Sequence, residues 1–357
     1  MTATTRTGAR GEPRTATDPR IAGPDATLAD RMRAGWYRYW YEEIPPRRLA
    51  IFSFFVYGAV LFSVFVNDTW AQLHTWAPVE FYKPVFFAET LRIPPPNEIT
   101  IWIVTAFVVG GCILGFTRRA PRVAGLIVLL SYGLWVTWAF SYGKIDHNQF
   151  ATMVALFVLA VTPATGPAAP VLTGWGLRLV QVVFILTYPM SAISKMRAND
   201  WTFEWLNSAT LVRAVVRRGT ELGDSLIAIP NLMTISQWLI FWFEFVAIVI
   251  LLPRGKLRYI GLAGVVALHV VTYSTITIHF LPHTICILAF FPLERGWAWI
   301  SRRRERRQTD SSSEPDAVDA PSSGSESAVA SASDPLAAPP SSSGKDGRPA
   351  SPAPSES

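Results

Sequence analysis

The chain has 357 residues, of which 50% are hydrophobic and only 16% are charged, with a net charge of +6. An ordinary soluble domain has about 25% charged residues, and here the charges are confined to the ends and to short connections between apolar runs. This distribution excludes an ordinary soluble domain. We also expect no nucleic-acid partner, because basic residues that flank apolar runs set topology and contact lipid headgroups.

The ends of the chain differ from its middle. Residues 1–27 are rich in Thr, Arg, Pro, Gly and Ala, and residues 303–357 form a basic cluster followed by an acidic Ser/Pro/Ala tail. Neither composition can bury a core, so we predict disordered tails at both ends. Residues 28–43 alternate Arg with Trp and Tyr, which predicts an interfacial helix at the headgroup level. No cleavable signal peptide is expected, because the first 48 residues lack an apolar core.

Eight apolar runs follow the interfacial segment, and most of them reach the ~20 residues needed to cross a bilayer. We therefore predict an all-α fold, a polytopic transmembrane helix bundle of about eight spans over residues 28–302. The predicted spans are 49–66, 99–116, 123–141, 150–163, 171–194, 232–252, 258–280 and 284–300, of which the fourth and the eighth are the weakest.

Lysine and arginine predict the orientation of the bundle. Basic clusters precede the first span, separate the second from the third and the sixth from the seventh, and follow the last. Eight spans put all four clusters on one side, which predicts a multi-pass protein of a bacterial inner (plasma) membrane with both termini cytoplasmic. The external connection 195–231 is the exception, because it is also basic, and it points to a function there.

One face of the fifth predicted span is polar. Gln181, Tyr188, Ser191 and Lys195 are spaced by seven, three and four residues, so they fall within about 80° of one another on a helix. Two interpretations stay open. The face is either a seam between helices, with Lys195 reaching the outer headgroups, or a functional surface.

Two further polar residues lie in the middle of predicted spans. Glu244 is in the sixth span and His269 in the seventh, and both are near the depth of Gln181. Burying an unpaired polar group at this depth costs free energy, so we expect Glu244 and His269 to pair, with Gln181 nearby. Such a pair is either a structural clamp between helices or a functional group.

Several side chains that can share or accept protons are expected near the outer membrane surface. The turn GKIDHNQF, residues 143–150, and the connection after the seventh span both face outward in the predicted topology. The spacing of these groups does not predict a metal site. They are His147, Asn148, Lys195, His279 and His283.

The segment LRLVQVVFILTYPMSAISKMRANDW resembles the HTTM (horizontally transferred transmembrane) domain, which is related to vitamin K-dependent gamma-carboxylase. That family has a span with Gln and Tyr, then a Ser-Lys or Lys-Lys pair, then a Trp about six residues on. The matching residues are Gln181, Tyr188, Ser194, Lys195 and Trp201. The later spans with Glu244 and His269, and the turn with Asp146, His147 and Asn148, follow in the family's order over roughly residues 45–300.

The resemblance implies a chemistry. In the carboxylase the corresponding lysine is the base that deprotonates vitamin K hydroquinone, so Lys195 is the expected base here, with menaquinol or a vitamin K-like quinol as the candidate cofactor. The poorly solvated membrane edge agrees with this role, because it disfavours a charged amine. The large lumenal region with which the carboxylase grips proteins has no counterpart here. Membrane lipid, a peptide substrate or a partner membrane protein are therefore the expected partners.

Three functions remain open at this stage. The first is a carboxylase-like membrane enzyme with Lys195, His147, Glu244 and His269 as catalytic residues. Its substrate-binding or lipid-binding residues would be Gln181, Tyr188, Ser191, Asn148 and Trp201. The second is a non-catalytic membrane factor that assists maturation or export of a secreted peptide. The third is a proton-coupled transporter with a Glu244–His269 relay, which is disfavoured because no internal repeat is evident.

Overall fold

A computed structural model describes residues 26–67, 70–143 and 145–312. The tail predictions for 1–25 and 313–357 lie outside these residues. The chain divides into two units, Met1–Glu305 and Arg306–Ser357, and the account below concerns the first.

The described residues form helices and no strands, which confirms the all-α prediction. Short 3₁₀ turns occur at His74–Trp76, Val79–Phe81 and Cys286–Phe290, and a π turn at Ser63–Asn67 follows the second helix. The α-helices are α1 (Leu28–Trp40), α2 (Pro46–Phe62), α3 (Trp70–Leu73), α4 (Phe86–Thr90), α5 (Glu98–Thr117), α6 (Pro121–Phe140), α7 (Gln149–Val161), α8 (Ala169–Arg197), α9 (Glu204–Asn207), α10 (Thr210–Arg218), α11 (Glu221–Ile227), α12 (Leu232–Leu251), α13 (Lys256–Ile276), α14 (Leu281–Ile285) and α15 (Leu293–Ser312).

Six helical segments in the described part of the chain are long and apolar enough to cross a membrane. They are Pro46–Val66, α5, α6, α8, α12 and α13, and they coincide with six of the eight predicted spans. The other two predictions fall on the shorter apolar segments α7 and Leu281–Phe290. Thirteen residues of helix, as in α7, rise only about 20 Å, against a hydrocarbon core of about 30 Å. The part of the chain that the structure describes is therefore a multi-pass helical bundle with six helices of full spanning length.

The eighth predicted span, 284–300, is interrupted. A 3₁₀ turn ends at Phe290, and α15 begins at Leu293. Pro292 lies in the gap, and proline can neither donate a backbone hydrogen bond nor continue a helix through its ring. The apolar run therefore ends at Phe290, and α15 begins a separate, polar helix.

Close contacts between helices are made at glycines. A Cβ atom added at Gly125 in α6 would lie 2.7 Å from the backbone nitrogen of Ala160 in α7. One added at Gly176 in α8 would lie 2.4 Å from a methyl group of Val158. Small residues let helix backbones approach closely in membrane bundles, so α6, α7 and α8 form a tightly packed row. Fully buried aromatic side chains such as Trp135 and Phe184 fill the core beside it.

One end of the bundle, here called the basic end, is fastened by charged side chains. Arg48 at the start of α2 donates two hydrogen bonds of 2.7 Å to Glu294 of α15. Glu42 accepts hydrogen bonds from Arg178 of α8 and Arg254 between α12 and α13. These contacts bring together basic residues from two of the four clusters in the sequence, those around Arg48 and Arg254, together with Arg178 of α8.

Candidate functional site

An ion pair joins α8 to α12 toward the end of the bundle opposite the basic end. The Lys195 ammonium donates to Oε2 of Glu244, and the Ser191 hydroxyl donates to Oε1 of the same carboxylate over 3.3 Å. Ser191 and Lys195 lie one helical turn apart, so both face α12. The side chains of Lys195 and Glu244 are only 20% and 11% exposed. The pair therefore lies in a poorly solvated environment, where electrostatic attraction is stronger than in water.

The ammonium of Lys195 has a second contact, with an aromatic ring. Its nitrogen lies 4.7 Å from the ring centre of Trp205 in α9, a cation–π geometry. The family resemblance assigns a tryptophan to position 201, but Trp201 is 62% exposed. Its backbone has a positive φ of 62° in the turn after α8. Trp205, and not Trp201, is therefore the tryptophan that contacts the Lys195 ammonium. The binding of substrate or lipid by Trp201 stays a prediction.

Tyr188 is the centre of a buried hydrogen-bonded group. Its hydroxyl lies 3.0 Å from Nε2 of His269 in α13 and 3.0 Å from Nε2 of His283 in α14. A phenol has one proton to donate, so it donates to one imidazole and accepts from the other. The two histidines therefore hold opposite tautomers if both hydrogen bonds form while both rings are neutral. Neither Nδ1 atom has a hydrogen-bond partner among the described residues.

The expected grouping of Gln181, Glu244 and His269 is wrong in its pairing. Glu244 binds Lys195 and Ser191, whereas His269 binds Tyr188. Gln181 lies nearer the start of α8, where its side chain accepts a hydrogen bond from Arg178 and donates one of 2.7 Å to the carbonyl of Ala289. The polar face of α8 is real, but its members are divided among α12, α13 and the segment that follows α13.

His283 also differs from expectation. The sequence grouped it with outer-surface residues, but it is only 2% exposed. Its ring stacks on Phe184 with centres 4.3 Å apart and an interplanar angle of 11°. The stacking partner follows from the register of α8, since Phe184 precedes Tyr188 by one turn. His279 has its own aromatic contact, with ring centres 4.4 Å from Tyr273.

A groove of about 590 Å³ runs beside the ion pair, between α8 and the start of α7. Its apolar walls include side chains that are 40–53% exposed on the outside of the bundle, such as Leu186, Met190 and Phe150. Leu186 and Met190 lie on α8, which is long and apolar enough to cross a membrane, and the groove is open at the outside of the bundle. Its polar lining consists of His147, Thr187, Ser191, Ser194 and Lys195.

The turn before α7 contributes two predicted residues to this region. His147 lines the groove, and its ring centre lies 6.5 Å from that of Phe280. Asn148 precedes α7 and is 6% exposed, and its Oδ1 has no hydrogen-bond partner among the described residues. The structure thus brings His147 to the same groove as Lys195 and Ser191. Asn148, the next residue after His147, is buried and does not line the groove.

The described residues contain no group of three His, Cys, Asp or Glu side chains arranged to hold a metal ion. Cys112 and Cys286 are both buried and free. What the site offers chemically is an amine, a carboxylate, hydroxyls and imidazoles next to an apolar groove. These groups are suited to moving protons.

No family model matches this sequence, and no curated protein or solved structure matches it. The geometry of the site is therefore what bears on function.

Proposed function

We propose that this multi-pass membrane protein is an enzyme of the HTTM type that removes a proton from a lipid quinol. The Lys195–Glu244 pair would be the proton acceptor. The observation that carries the proposal is the position of the pair. Lys195 lines a lipid-facing groove on one side and binds the carboxylate of Glu244 on the other.

The charges of the pair suit this reaction. Glu244 accepts the proton from a hydroxyl group of the bound molecule, and the ammonium of Lys195 then neutralises the oxygen that lost the proton. One positive and one negative charge face each other before and after the step. This matters because a separated charge in a poorly solvated site is costly. Lys195 thus favours the step by stabilising the oxygen that lost the proton, while Glu244 is the group that accepts the proton.

The groove suits a quinol with an isoprenoid chain. Its volume of about 590 Å³ falls within the roughly 300–1,000 Å³ typical of small-molecule sites. Val183, Leu186 and Met190 provide an apolar wall along α8, while His147 and Ser194 provide hydrogen-bonding groups.

The buried group around Tyr188 supports the same site. Tyr188 precedes Ser191 by three residues and Lys195 by seven, so all three share one face of α8. We assign His269 and Tyr188 a positioning role, because their mutual hydrogen bond fixes α13 against α8 beside the ion pair. Gln181 has an equivalent structural role nearer the basic end, where it binds Arg178 and the carbonyl of Ala289.

A direct test uses purified protein in nanodiscs with menaquinol-4 and dissolved oxygen as the oxidant. A deprotonated quinol gives up electrons more readily, so the wild type should speed the loss of menaquinol-4, followed by liquid chromatography and mass spectrometry. Lys195→Ala and Glu244→Gln should each lower this rate at least tenfold. Lys256→Ala and Glu204→Gln are matched controls, because both residues are exposed and neither lines the groove.

A second pair of variants tests the groove separately from the charges. Leu186→Trp should block it, whereas Leu239→Trp, on an exposed part of α12, should not. Menaquinol-4 loss that is unchanged in Lys195→Ala would overturn the proposal. If Lys195→Ala also kept its biological role while a partner protein co-purified, the non-catalytic factor would be the better account.

We further propose that the basic end faces the cytoplasm, as the positive-inside rule requires. Both termini are then cytoplasmic, and Lys195 lies toward the outer surface of the inner membrane. A membrane-impermeant maleimide should label Asp200→Cys but not Lys256→Cys in intact cells. The reverse pattern would contradict this orientation. Background labelling should be low because the native cysteines are buried.

A further inference from the structure

A second groove, of about 450 Å³, lies at the basic end between α2 and α5. It is separate from the Lys195 groove and shares no lining residue with it. Arg47 and Arg118 line it, and an aromatic wall continues from them along the two spans. The groove therefore combines positive charge with an apolar surface.

The two arginines have no counter-charge in the groove. Both side chains are exposed, and neither forms an ion pair with any residue that the structure describes. No Asp or Glu is among the residues that line the groove. The adjacent Arg48 is different, because Glu294 neutralises it through two hydrogen bonds. A negatively charged ligand would complement Arg47 and Arg118.

The remaining walls favour a lipid chain. Phe54 is 60% exposed, and its ring centre lies 5.1 Å from that of Phe116 on α5. Phe55 continues the same wall. Trp297 of α15 closes the edge, one helical turn after the Glu294 that is tied to Arg48. Tryptophan beside a span commonly lies at headgroup level.

The backbone at Arg118 is also unusual. It ends α5 with a φ of 57°, in the left-handed region where glycine or asparagine is usual. A long side chain is held there despite the unfavourable backbone conformation. Strained positions of this kind often have a functional reason, and here the guanidinium reaches the groove.

We infer that this groove binds a phospholipid with an anionic headgroup. The phosphate lies between Arg47 and Arg118, and an acyl chain lies along Phe54, Phe55 and Phe116. Basic pockets between membrane helices are suited to such headgroups. A second copy of the chain is a poorer occupant, because symmetric contact would bring like charges together. The inference does not depend on the proposed quinol chemistry.

The test is native mass spectrometry of the purified full chain with dioleoyl phosphatidylglycerol and, separately, dioleoyl phosphatidylethanolamine. The wild type should bind phosphatidylglycerol at least tenfold more tightly than phosphatidylethanolamine. Arg47→Gln combined with Arg118→Gly should abolish this preference, and glycine is chosen because it suits the left-handed backbone. Arg119→Ala is the matched control, since Arg119 is the next residue, is exposed and does not line the groove.

Folding and alternative ligands are checked in the same samples. The double variant should remain monodisperse with a thermal midpoint close to that of wild type, and Arg47→Lys should retain part of the lipid preference. Water-soluble glycerophosphoglycerol should not compete, because it lacks acyl chains. Equal binding of both lipids by wild type, or an unchanged preference in the double variant, would overturn the inference. Full competition by the soluble headgroup, or a dimer lost in the double variant, would also overturn it.

Discussion

At the residue scale, the cost of burying polar groups explains the contacts of α8. An unpaired polar side chain within a membrane bundle is unfavourable, so several polar side chains of α8 take partners on neighbouring helices. Lys195 takes the carboxylate of Glu244, and Tyr188 takes two histidines. The first arrangement borders the groove and is available for chemistry. The second is enclosed and holds helices together.

The ion pair between Arg48 and Glu294 gives a prediction about pH. Hydrogen bonds from Arg48 hold the pKa of Glu294 below its ordinary value, so the folded state binds fewer protons than the unfolded state in acid. Its stabilisation is therefore present above about pH 4.5 and is lost as the pH falls through the lowered folded-state pKa. Glu294→Gln should lower the free energy of unfolding by roughly 1 kcal/mol at pH 7.

Thermal unfolding in detergent at several pH values measures this effect. The stability difference between wild type and Glu294→Gln should shrink progressively below about pH 4.5. Glu80→Gln, at an exposed residue with no ion pair in the described structure, is the control and should change little. A difference that stays constant into acid would show that the ion pair does not stabilise the fold in this way.

The sequence was sufficient to predict which residues of α8 share a face, because helical periodicity alone determines it. The sequence was not sufficient to predict which side chains on the neighbouring helices these α8 residues would contact. Glu244 and His269 lie at similar depths in neighbouring spans, so depth alone allowed them to pair. The rotation of α12 and α13 about their axes decides the outcome, and only the folded bundle sets that rotation. Whether these residues carry catalysis stays a prediction.

At the element scale, length and composition separate the reliable predictions from the ambiguous ones. The six long apolar runs became six full-length helices, because each can satisfy its own backbone hydrogen bonds across a bilayer. The two weak runs became shorter segments. The connection 195–231 contains α9, α10 and α11, which apolar runs do not signal. Contacts to the bundle anchor them, such as Gln237 accepting from the backbone of Leu211 over 2.7 Å.

The crossing of α6 and α7 gives a prediction at this scale. Gly125→Ala adds a methyl group 2.7 Å from the backbone of Ala160, where nothing flexible can move aside. Overpacking of this kind typically costs about 1–3 kcal/mol, so the thermal midpoint should fall. Gly110→Ala is the matched control, because a Cβ atom there meets nothing within 4 Å. Equal midpoints for the two variants would refute the close crossing.

At the scale of the whole molecule, the two ends of the bundle have different chemistry. The basic end holds arginines, ion pairs and the groove lined by Arg47 and Arg118. The opposite part of α8 holds the Lys195–Glu244 pair and the groove lined by Leu186 and Met190. Alpha-helix α8 joins them, since its start contacts the segment before α2 and its last turn carries Lys195.

The measurement that tests the central claim most directly is a cryo-electron microscopy map of the full chain in nanodiscs containing menaquinone-4. The account predicts elongated density along Leu186 and Met190, with its polar end within hydrogen-bonding distance of Lys195 or His147. The density should be weakened in Leu186→Trp. A groove closed by its own side chains, or quinone density only at other sites, would contradict the assignment of Lys195 and Glu244 to a quinol site.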